Sequence, residues 1–534
     1  MRLVVDLTRC QGYAQCAYLA PSAFIMQGDE ALLYDPAPSD EQREWVLRAA
    51  AACPVQAIVL DRGTPRNGDG RTRVPRRGVD DDFLRTGRIV IVGASLAGLR
   101  AAGALRYEGF TGSLILIGDE PQDPYDRPPL SKQVLKGWVS AGNTGLPRNH
   151  AFDADWRLGV PAARLDLAGK QVRLADGESI GFDRLLIATG VRARPWPNPT
   201  EAALDGLIVL RTRDEADRLQ QLVAARPGRV LVIGAGFTGS EVASVCRELG
   251  LAVTVAEAGP APLVAALGGV IGAIAADMQR ASGVDLRCGV MVTALEGDAD
   301  GRLRRARLSD GSTIDADVAV AALGGVRNVE WLAGSGLAAG PWGVACDAGC
   351  RAIDVNGLVT DDIFVAGDVA RSPQPMFDYQ FLALEHWGNA VAQAEVAAHN
   401  MISGQADRWP HLAVPAFWST QFGIEIKSVG VPSVADEVVI TQGSVPDRRF
   451  VAAYGQRGRI VGAVTFNQAK WLEFYARQIE QAAPFPPAYQ TVDQPSEMRP
   501  VPAEFPDRPI PTQGATVVVT GHDPSERRAT LLGR

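Results

Sequence analysis

The chain is poor in histidine, cysteine and basic charge, and each shortage closes a class of function. Its 534 residues hold five histidines and seven cysteines. The histidines show no metal-ligand spacing, which argues against a histidine-bound catalytic metal. Seven cysteines are too few for a disulfide scaffold in a chain this long. Lys and Arg number 53 against 61 Asp and Glu, a net charge of −8 with a pI near 5.4. That balance argues against nucleic-acid binding. The opening Met1-Arg-Leu-Val-Val-Asp lacks the charged-then-apolar layout of a signal peptide. The uncharged run holding Leu263 to Ala276 invites a membrane-spanning reading, but Pro260, Pro262 and its Gly and Ala content speak against one. The expectation is a cytoplasmic protein of three or four domains with no membrane span.

What is present is two strand–glycine-loop–helix patterns. Arg88-Ile-Val-Ile-Val-Gly-Ala-Ser-Leu-Ala-Gly98 is an apolar strand that ends in a tight loop and opens an Ala/Leu-rich helix. The amides at such a helix start can hold a pyrophosphate, which makes Gly93, Ser95, Ala97 and Gly98 candidate cofactor contacts. Ser95 stands where the usual pattern has its middle glycine. A second strand, Ser113-Leu-Ile-Leu-Ile-Gly-Asp-Glu120, ends in Asp119 and Glu120, where a ribose hydroxyl would be held. The distant Asp362-Ile-Phe-Val-Ala-Gly-Asp368 completes the pattern and marks a nucleotide domain in two pieces, read as FAD-binding. Arg229-Val-Leu-Val-Ile-Gly-Ala-Gly-Phe-Thr-Gly239 is the second loop, with Gly234, Gly236, Phe237, Thr238 and Gly239 as contacts. Its next strand ends in Glu257, then Ala258 and Gly259. An acid there bonds the adenosine ribose and repels a 2′-phosphate, which favours NADH over NADPH.

The first 62 residues form a separate unit. Cys10-Gln-Gly-Tyr-Ala-Gln-Cys16 and Cys53-Pro54 space three thiols like the ligands of an iron–sulfur cluster. Four-ligand bacterial ferredoxins have cysteine where Tyr13 stands, and a phenol is a poor ligand for iron of this kind. The expected group is therefore a 3Fe-4S cluster on Cys10, Cys16 and Cys53, against the alternative of three buried structural thiols. The unit's acids outnumber its bases, which suits docking on basic redox partners or simply makes a solvated face. Residues 63–87, with Arg66, Arg71, Arg73, Arg76 and Arg77, read as a flexible linker of roughly 25–30 Å. Such a tether makes the unit's encounter with the rest of the chain intramolecular, at on the order of mM effective concentration.

The N-terminal unit resembles the single-cluster ferredoxins that serve bacterial cytochrome P-450 monooxygenases, which share a Pro-x-x-Phe (here Pro21 to Phe24) after the second ligand. Residues 88 to 485 resemble the FAD-containing, NADH-dependent ferredoxin reductases of oxygenase systems, the putidaredoxin and rubredoxin reductase group. The sharpest signature is Pro124-Tyr-Asp-Arg-Pro-Pro-Leu-Ser-Lys132. The resemblance implies that Arg127 contacts the flavin nucleotide, that Lys132 lies beside the reactive end of the isoalloxazine, and that Glu241 sits near the nicotinamide within reach of Lys132. It further implies a crossing between domains at Ala188, Thr189 and Gly190, a return at Gly324, and a ribityl contact from Asp368 beside Gly367. Glu385, His386 and Trp387 then open a helix against the flavin, with Trp387 on the electron exit route. Two positions depart from the family: Gly325-Val-Arg-Asn lacks a proline, and Thr420 stands where an acid is usual.

The expected fold is α/β: an N-terminal ferredoxin-like α+β domain (1–62), two Rossmann-like, glutathione-reductase-like domains, and a C-terminal α+β interface domain (409–485). The FAD domain takes 88–203 and 324–408, the NAD domain 204–323, and a Pro-rich tail 486–534 has no assigned role. Cys246, Cys288, Cys346 and Cys350 lack C-x-x-C or C-x4-C spacing on the glycine-loop helices and look structural. The favoured activity is an NADH:ferredoxin oxidoreductase passing electrons through FAD and a cluster to a cytochrome P-450 or similar oxygenase. An NADH oxidase or quinone reductase with a regulatory cluster domain, and a redox-sensing interaction protein, are the competing readings. A homo-oligomer is compatible with all three.

Overall fold

The computed structural model describes residues 1–61, 81–147, 153–487, 501–503, 516–520 and 528–532. The expected linker arginines and most of the expected Pro-rich tail lie outside these residues. The last part of the expected linker does not read as coil: Asp81–Thr86 is a helix. Phe83 on it packs against Phe110 at 5.7 Å and under the Arg184 guanidinium at 4.2 Å, which anchors this turn to the next domain.

Two parallel sheets carry the nucleotide-binding patterns. The first has the order Arg351–Ile353, Val359–Val365, Arg184–Ile187, Arg88–Val92, Ser113–Gly118, Asp155–Leu158. All neighbours are parallel except the antiparallel edge strand Arg351–Ile353. The second is wholly parallel, in the order Leu207–Ile208, Val318–Ala321, Val230–Ile233, Val253–Glu257, Asp285–Cys288. Their central strands are covered on both faces, which is why Ile89-Val-Ile-Val92 and Val230-Leu-Val-Ile233 are unbroken apolar runs and not alternating ones. The sheet containing Thr360 to Val365 is shared with Arg88–Val92, so the FAD-type domain is assembled from both ends of an interrupted stretch of chain.

The C-terminal sheet is antiparallel, in the order Ala416–Gln421, Ile424–Gly430, Arg459–Phe466, Arg449–Gln456, Glu437–Ser444, Val501–Pro502. Helix Leu472–Glu480 buries Leu472, Tyr475 and Ile479 against it. The uncharged run near Leu263 belongs to the helix Val264–Ala281. It packs into this same core through Leu267, Ile271 and Met278, and the Tyr454 hydroxyl donates to the Leu267 carbonyl at 2.6 Å. Its apolar character is thereby spent inside the protein. Among the described residues no helix is long and apolar enough to cross a membrane.

The N-terminal unit pairs Leu3–Val5 with Ile58–Leu60 and Phe24–Gln27 with Ala31–Tyr34, and adds helices Gln15–Leu19 and Arg43–Ala52. Its core, with Leu3, Phe24 and Val46, runs on without a break into Leu99 and Leu146 of the neighbouring domain. A tether alone does not describe this arrangement, because the unit is seated on the remainder of the chain by buried polar contacts. Lys427, 1% exposed, donates from Nζ to the carbonyls of Leu7 (2.9 Å) and Cys10. The Ala469 amide donates to Glu30 at 2.9 Å, and Arg449 faces Asp29 at 3.3 Å. Asp29 and Glu30, two of the unit's acids, thus meet the chain's own C-terminal domain. Replacing Lys427 by Met would leave two buried carbonyls unpaired and Glu425, 3.7 Å away, without its cation. Removing one member of such a buried charge set costs about 3–5 kcal/mol. The expected result of Lys427→Met is release of the first 61 residues by limited proteolysis under conditions where the parent chain stays intact.

Candidate active site

Three helices begin at one cleft of about 550 Å³. Leu96–Tyr107 starts after Ser95, Phe237–Glu248 after Gly236 and Trp387–Met401 after His386, and none of the three has a side-chain cap. Uncapped first-turn amides and the positive end of each helix dipole favour anionic groups at such positions. The cleft also has room left by glycine. A Cβ on Gly190, Gly236 or Gly324 would meet nothing within 4 Å, so these backbones leave a cradle open for a ligand. The donor set and the cradle fit a dinucleotide such as FAD with a second nucleotide beside it.

Of the residues predicted to bind cofactor, Ser95, Ala97, Arg127, Lys132, Ala188, Thr189, Gly190, Gly236, Phe237, Thr238, Gly324, Gly367, Asp368, Glu385, His386 and Trp387 line this cleft together with Glu241. Gly93, Gly98, Gly234 and Gly239 stand behind it. A Cβ on Gly98 would lie 2.0 Å from the Gly93 carbonyl oxygen, and one on Gly239 2.0 Å from that of Gly234. These glycines therefore let helix and strand approach, as the pattern requires. Ser95 is extended, with φ −118°, so a side chain is tolerated where the common pattern has glycine.

Asp119, Glu120 and Glu257 do not line the cleft. Asp119 caps the Glu120 amide at 3.0 Å, and Glu120 binds Arg127 at 2.6 Å and the Tyr125 hydroxyl. Arg127 also donates to the Arg211 carbonyl at 2.7 Å, which fixes it in the cleft wall. Glu257 accepts the amides of Ala235 and Gly259, each at 2.6 Å, and so holds the second glycine loop from its strand end.

At the centre, Lys132 Nζ and Glu241 Oε2 are 2.6 Å apart with 9% and 8% of their side chains exposed. Glu241 also accepts from Ser131 (2.6 Å) and from Ser419 of the C-terminal sheet (2.7 Å). One carboxylate thus joins three parts of the chain. Asp368 faces Arg211 at 2.9 Å. Burial lowers His386 to a pKa of about 4, so its ring is neutral at physiological pH, and its buried Nδ1 has no partner among the described residues. Trp387 donates from Nε1 to Asp126 at 2.9 Å and packs on the core of the N-terminal unit.

Reasoning from the sequence assigned no role to Asp126, Trp418, Arg211 or Lys427. Asp126 and Trp418 both line the cleft and lie inside motifs whose other residues carried the signal. Trp418 packs edge-on to Trp387 at 6.3 Å and also touches the core of the N-terminal unit. Arg211 and Lys427 carried no local signal.

Cys10, Cys16 and Cys53 share one small core. The Ala57 amide points at Cys53 Sγ at 3.4 Å, and the amides of Gly12 and Ala17 serve Cys10 and Cys16. Burial pushes the Cys10 thiol up and Cys16 to about 11, with each neighbouring thiolate adding to the effect. Three thiols in one core with amide donors at their sulfurs suit a multi-iron centre that would bind them as thiolates. No group of His, Cys, Asp or Glu among the described residues closes on a single metal ion, whereas a cluster spreads its ligands over several irons. Burial likewise raises Cys246, Cys346 and Cys350, and all seven cysteines are unbonded to one another.

Comparison with known proteins agrees with this geometry. The model for pyridine nucleotide-disulphide oxidoreductases matches residues 87–394, that for the reductase C-terminal domain 416–501, and that for the 4Fe-4S single cluster domain of ferredoxin I 5–60. Rhodocoxin reductase of Rhodococcus erythropolis is 36% identical over 72% of this chain and 87% of its own length. Putidaredoxin reductase CamA of Pseudomonas putida is 31% identical over 72% and 90%. The crystal structure of the covalent putidaredoxin reductase–putidaredoxin complex superposes with a TM-score of 0.69 at 28% identity, covering 75% of this chain and 94% of that one. The chain belongs to the pyridine nucleotide-disulphide oxidoreductase family as an FAD-dependent ferredoxin–NAD(P)+ reductase that carries its own single-cluster iron–sulfur ferredoxin domain.

Proposed function

We propose that this chain takes electrons from NADH and delivers them, through its own ferredoxin domain, to a monooxygenase of the cytochrome P-450 type. The observation that carries the reading is Trp387, which lines the cleft on one side and packs against the cysteine-bearing core on the other. Bound in the cleft, FAD would supply the conversion of a hydride pair into single electrons, and the cluster would store them one at a time. The chain's own groups do the rest. The uncapped helix starts would hold the cofactor's phosphates, Lys132 and Glu241 present a neutralised buried pair, and Trp387 and Trp418 pack between the cleft and the ferredoxin core.

The cluster is assigned as 3Fe-4S. Tyr13, at the fourth position, is 55% exposed with its hydroxyl on Gln11 at 2.6 Å, and the remaining four cysteines belong to the reductase part. Paramagnetic resonance of the protein as isolated tests this: an oxidised three-iron signal supports it, and silence until reduction refutes it. The oxygenase as acceptor is supported by relatives named as the ferredoxin–NAD(+) reductase components of the anthranilate 1,2-dioxygenase and biphenyl dioxygenase systems, and by a solved structure titled as the ferredoxin reductase for the CYP199A2 system. Catalytic NADH-driven turnover of a P-450 by this chain alone, with no added ferredoxin, is the decisive experiment.

The preference for NADH is assigned to Glu257 at the end of the second strand, whose carboxylate accepts the Ala235 amide of the second glycine loop and which has no Arg directly after it. Replacing Glu257 by Arg is expected to cut kcat/KM for NADH roughly tenfold, about 1.4 kcal/mol, while raising that for NADPH. Steady-state kinetics with both nucleotides checks the two changes together.

A further inference from the structure

Asp126, which lines the cleft, is an ionisable group in direct contact with the ferredoxin domain. Asp126 is 4% exposed, and its two carboxylate oxygens have different partners. Oδ1 accepts the Trp387 indole N–H at 2.9 Å, and Oδ2 accepts the Tyr34 hydroxyl of the ferredoxin domain at 2.9 Å. Tyr34 itself is 2% exposed and accepts on its carbonyl from Gln133 Nε2 at 3.4 Å. Arg100 and Lys132 lie close enough to favour the ionised carboxyl, and Asp6 of the ferredoxin domain acts on Tyr34 and Arg100 in turn.

We propose that Asp126 is a positioning residue for electron transfer out of the cleft, its single carboxylate holding the Trp387 indole and the Tyr34 phenol together and making their alignment depend on its protonation. The inference rests on the proposed route from cleft to ferredoxin core. A carboxylate can accept two hydrogen bonds at once, whereas the protonated acid must donate from one oxygen. The indole has only a donor, so it keeps the carbonyl oxygen of the acid. The acid's proton must then go to Tyr34, whose hydroxyl loses the carboxylate oxygen that accepted it. Protonation therefore disturbs the ferredoxin side of the pair first.

Burial raises the Asp126 carboxyl to about 6. The ionised form, present above that pH, is the one that bridges the two domains, and the bridge weakens as pH falls through it. Because burial favours the neutral acid, the ionised group opposes folding at higher pH, so Asn in its place relieves a charge and does not remove a prop.

Stopped-flow mixing of the full-length protein, carrying both cofactors, with NADH from about pH 5 to pH 8 tests the proposal. The readout is the rate of cluster reduction relative to that of flavin reduction. In the parent protein this ratio is expected to fall as pH drops through about 6. Asp126→Asn should remove the pH dependence and hold the ratio at the parent's low-pH level throughout. Tyr34→Phe, which removes the ferredoxin side of the bridge together with a hydrogen bond that lowers the Asp126 pKa, should hold the ratio at the parent's low-pH level and move only the dichroism transition of Trp387 to higher pH. A parallel near-ultraviolet circular dichroism titration, with the Trp387 band assigned from Trp387→Phe, should show the same transition in the parent and none in Asp126→Asn. An Asp126→Asn protein with the parent's ratio and pH profile overturns the proposal, as does a Trp387 band that does not titrate. Absence of any cluster reduction by NADH in the parent would instead sink the route, while the dichroism titration would still decide whether Asp126 holds Trp387.

Discussion

Cys16→Ser is expected to abolish NADH-driven reduction of cytochrome c while reduction of the flavin by NADH survives. A hydroxyl cannot replace a soft thiolate on iron, and with three thiols in the core the loss of one leaves two. The drop in cytochrome c reduction should be on the order of a hundredfold, since no second route of comparable rate links the cleft to a large protein acceptor. Bleaching of the flavin band by NADH under anaerobic conditions is the companion measurement. Unimpaired cytochrome c reduction by the variant would take the cluster off the route. Loss of both signals would show that the ferredoxin core is needed to fold the cleft, a result the continuous packing from Phe24 to Leu99 makes worth checking by circular dichroism.

The second large effect is expected at Lys132 and Glu241. The pair is 2.6 Å apart and almost wholly out of water, so removing one member leaves an unpaired charge at a cost of about 3–5 kcal/mol. Lys132→Met should be the worse single change, because Glu241 then keeps a full negative charge with only the hydroxyls of Ser131 and Ser419 to meet it. Glu241→Gln leaves an ammonium that still reaches the Pro128 carbonyl and the Ser131 hydroxyl, both at 3.4 Å. The double variant Lys132→Met with Glu241→Gln should recover part of the loss seen in Lys132→Met alone. Denaturant-induced release of FAD across the four proteins measures this coupling, and strict additivity would contradict it.

Both nucleotide domains were legible from local pattern because their chemistry is local. A Val/Ile run that ends in glycine and opens a helix places amides and a turn within a dozen residues, and Gly93 to Gly98 and Gly234 to Gly239 needed nothing from elsewhere to be read. The spacing of Cys10 and Cys16 is equally local. The helix at Asp81–Thr86 was less visible, because a single aromatic, Phe83, among acids gives no periodic signal, and its burial depends on Phe110 and Arg184. The acids Asp119, Glu120 and Glu257 were read by position as ribose ligands. In the fold Glu120 binds Arg127 and Tyr125, Asp119 the Glu120 amide, and Glu257 the amides of Ala235 and Gly259.

By itself the sequence determined the two dinucleotide loops, the trio of thiols and the reductase family, since each depends on residues close together along the chain. Only the tertiary structure decided that the ferredoxin domain is seated over the cleft, with Lys427 reaching Leu7 across 420 residues and Asp126 joining Tyr34 to Trp387. The reason is that a buried charge draws its energy from whichever groups surround it once water is gone, and those groups are chosen by the packing of distant segments, about which local pattern carries no information.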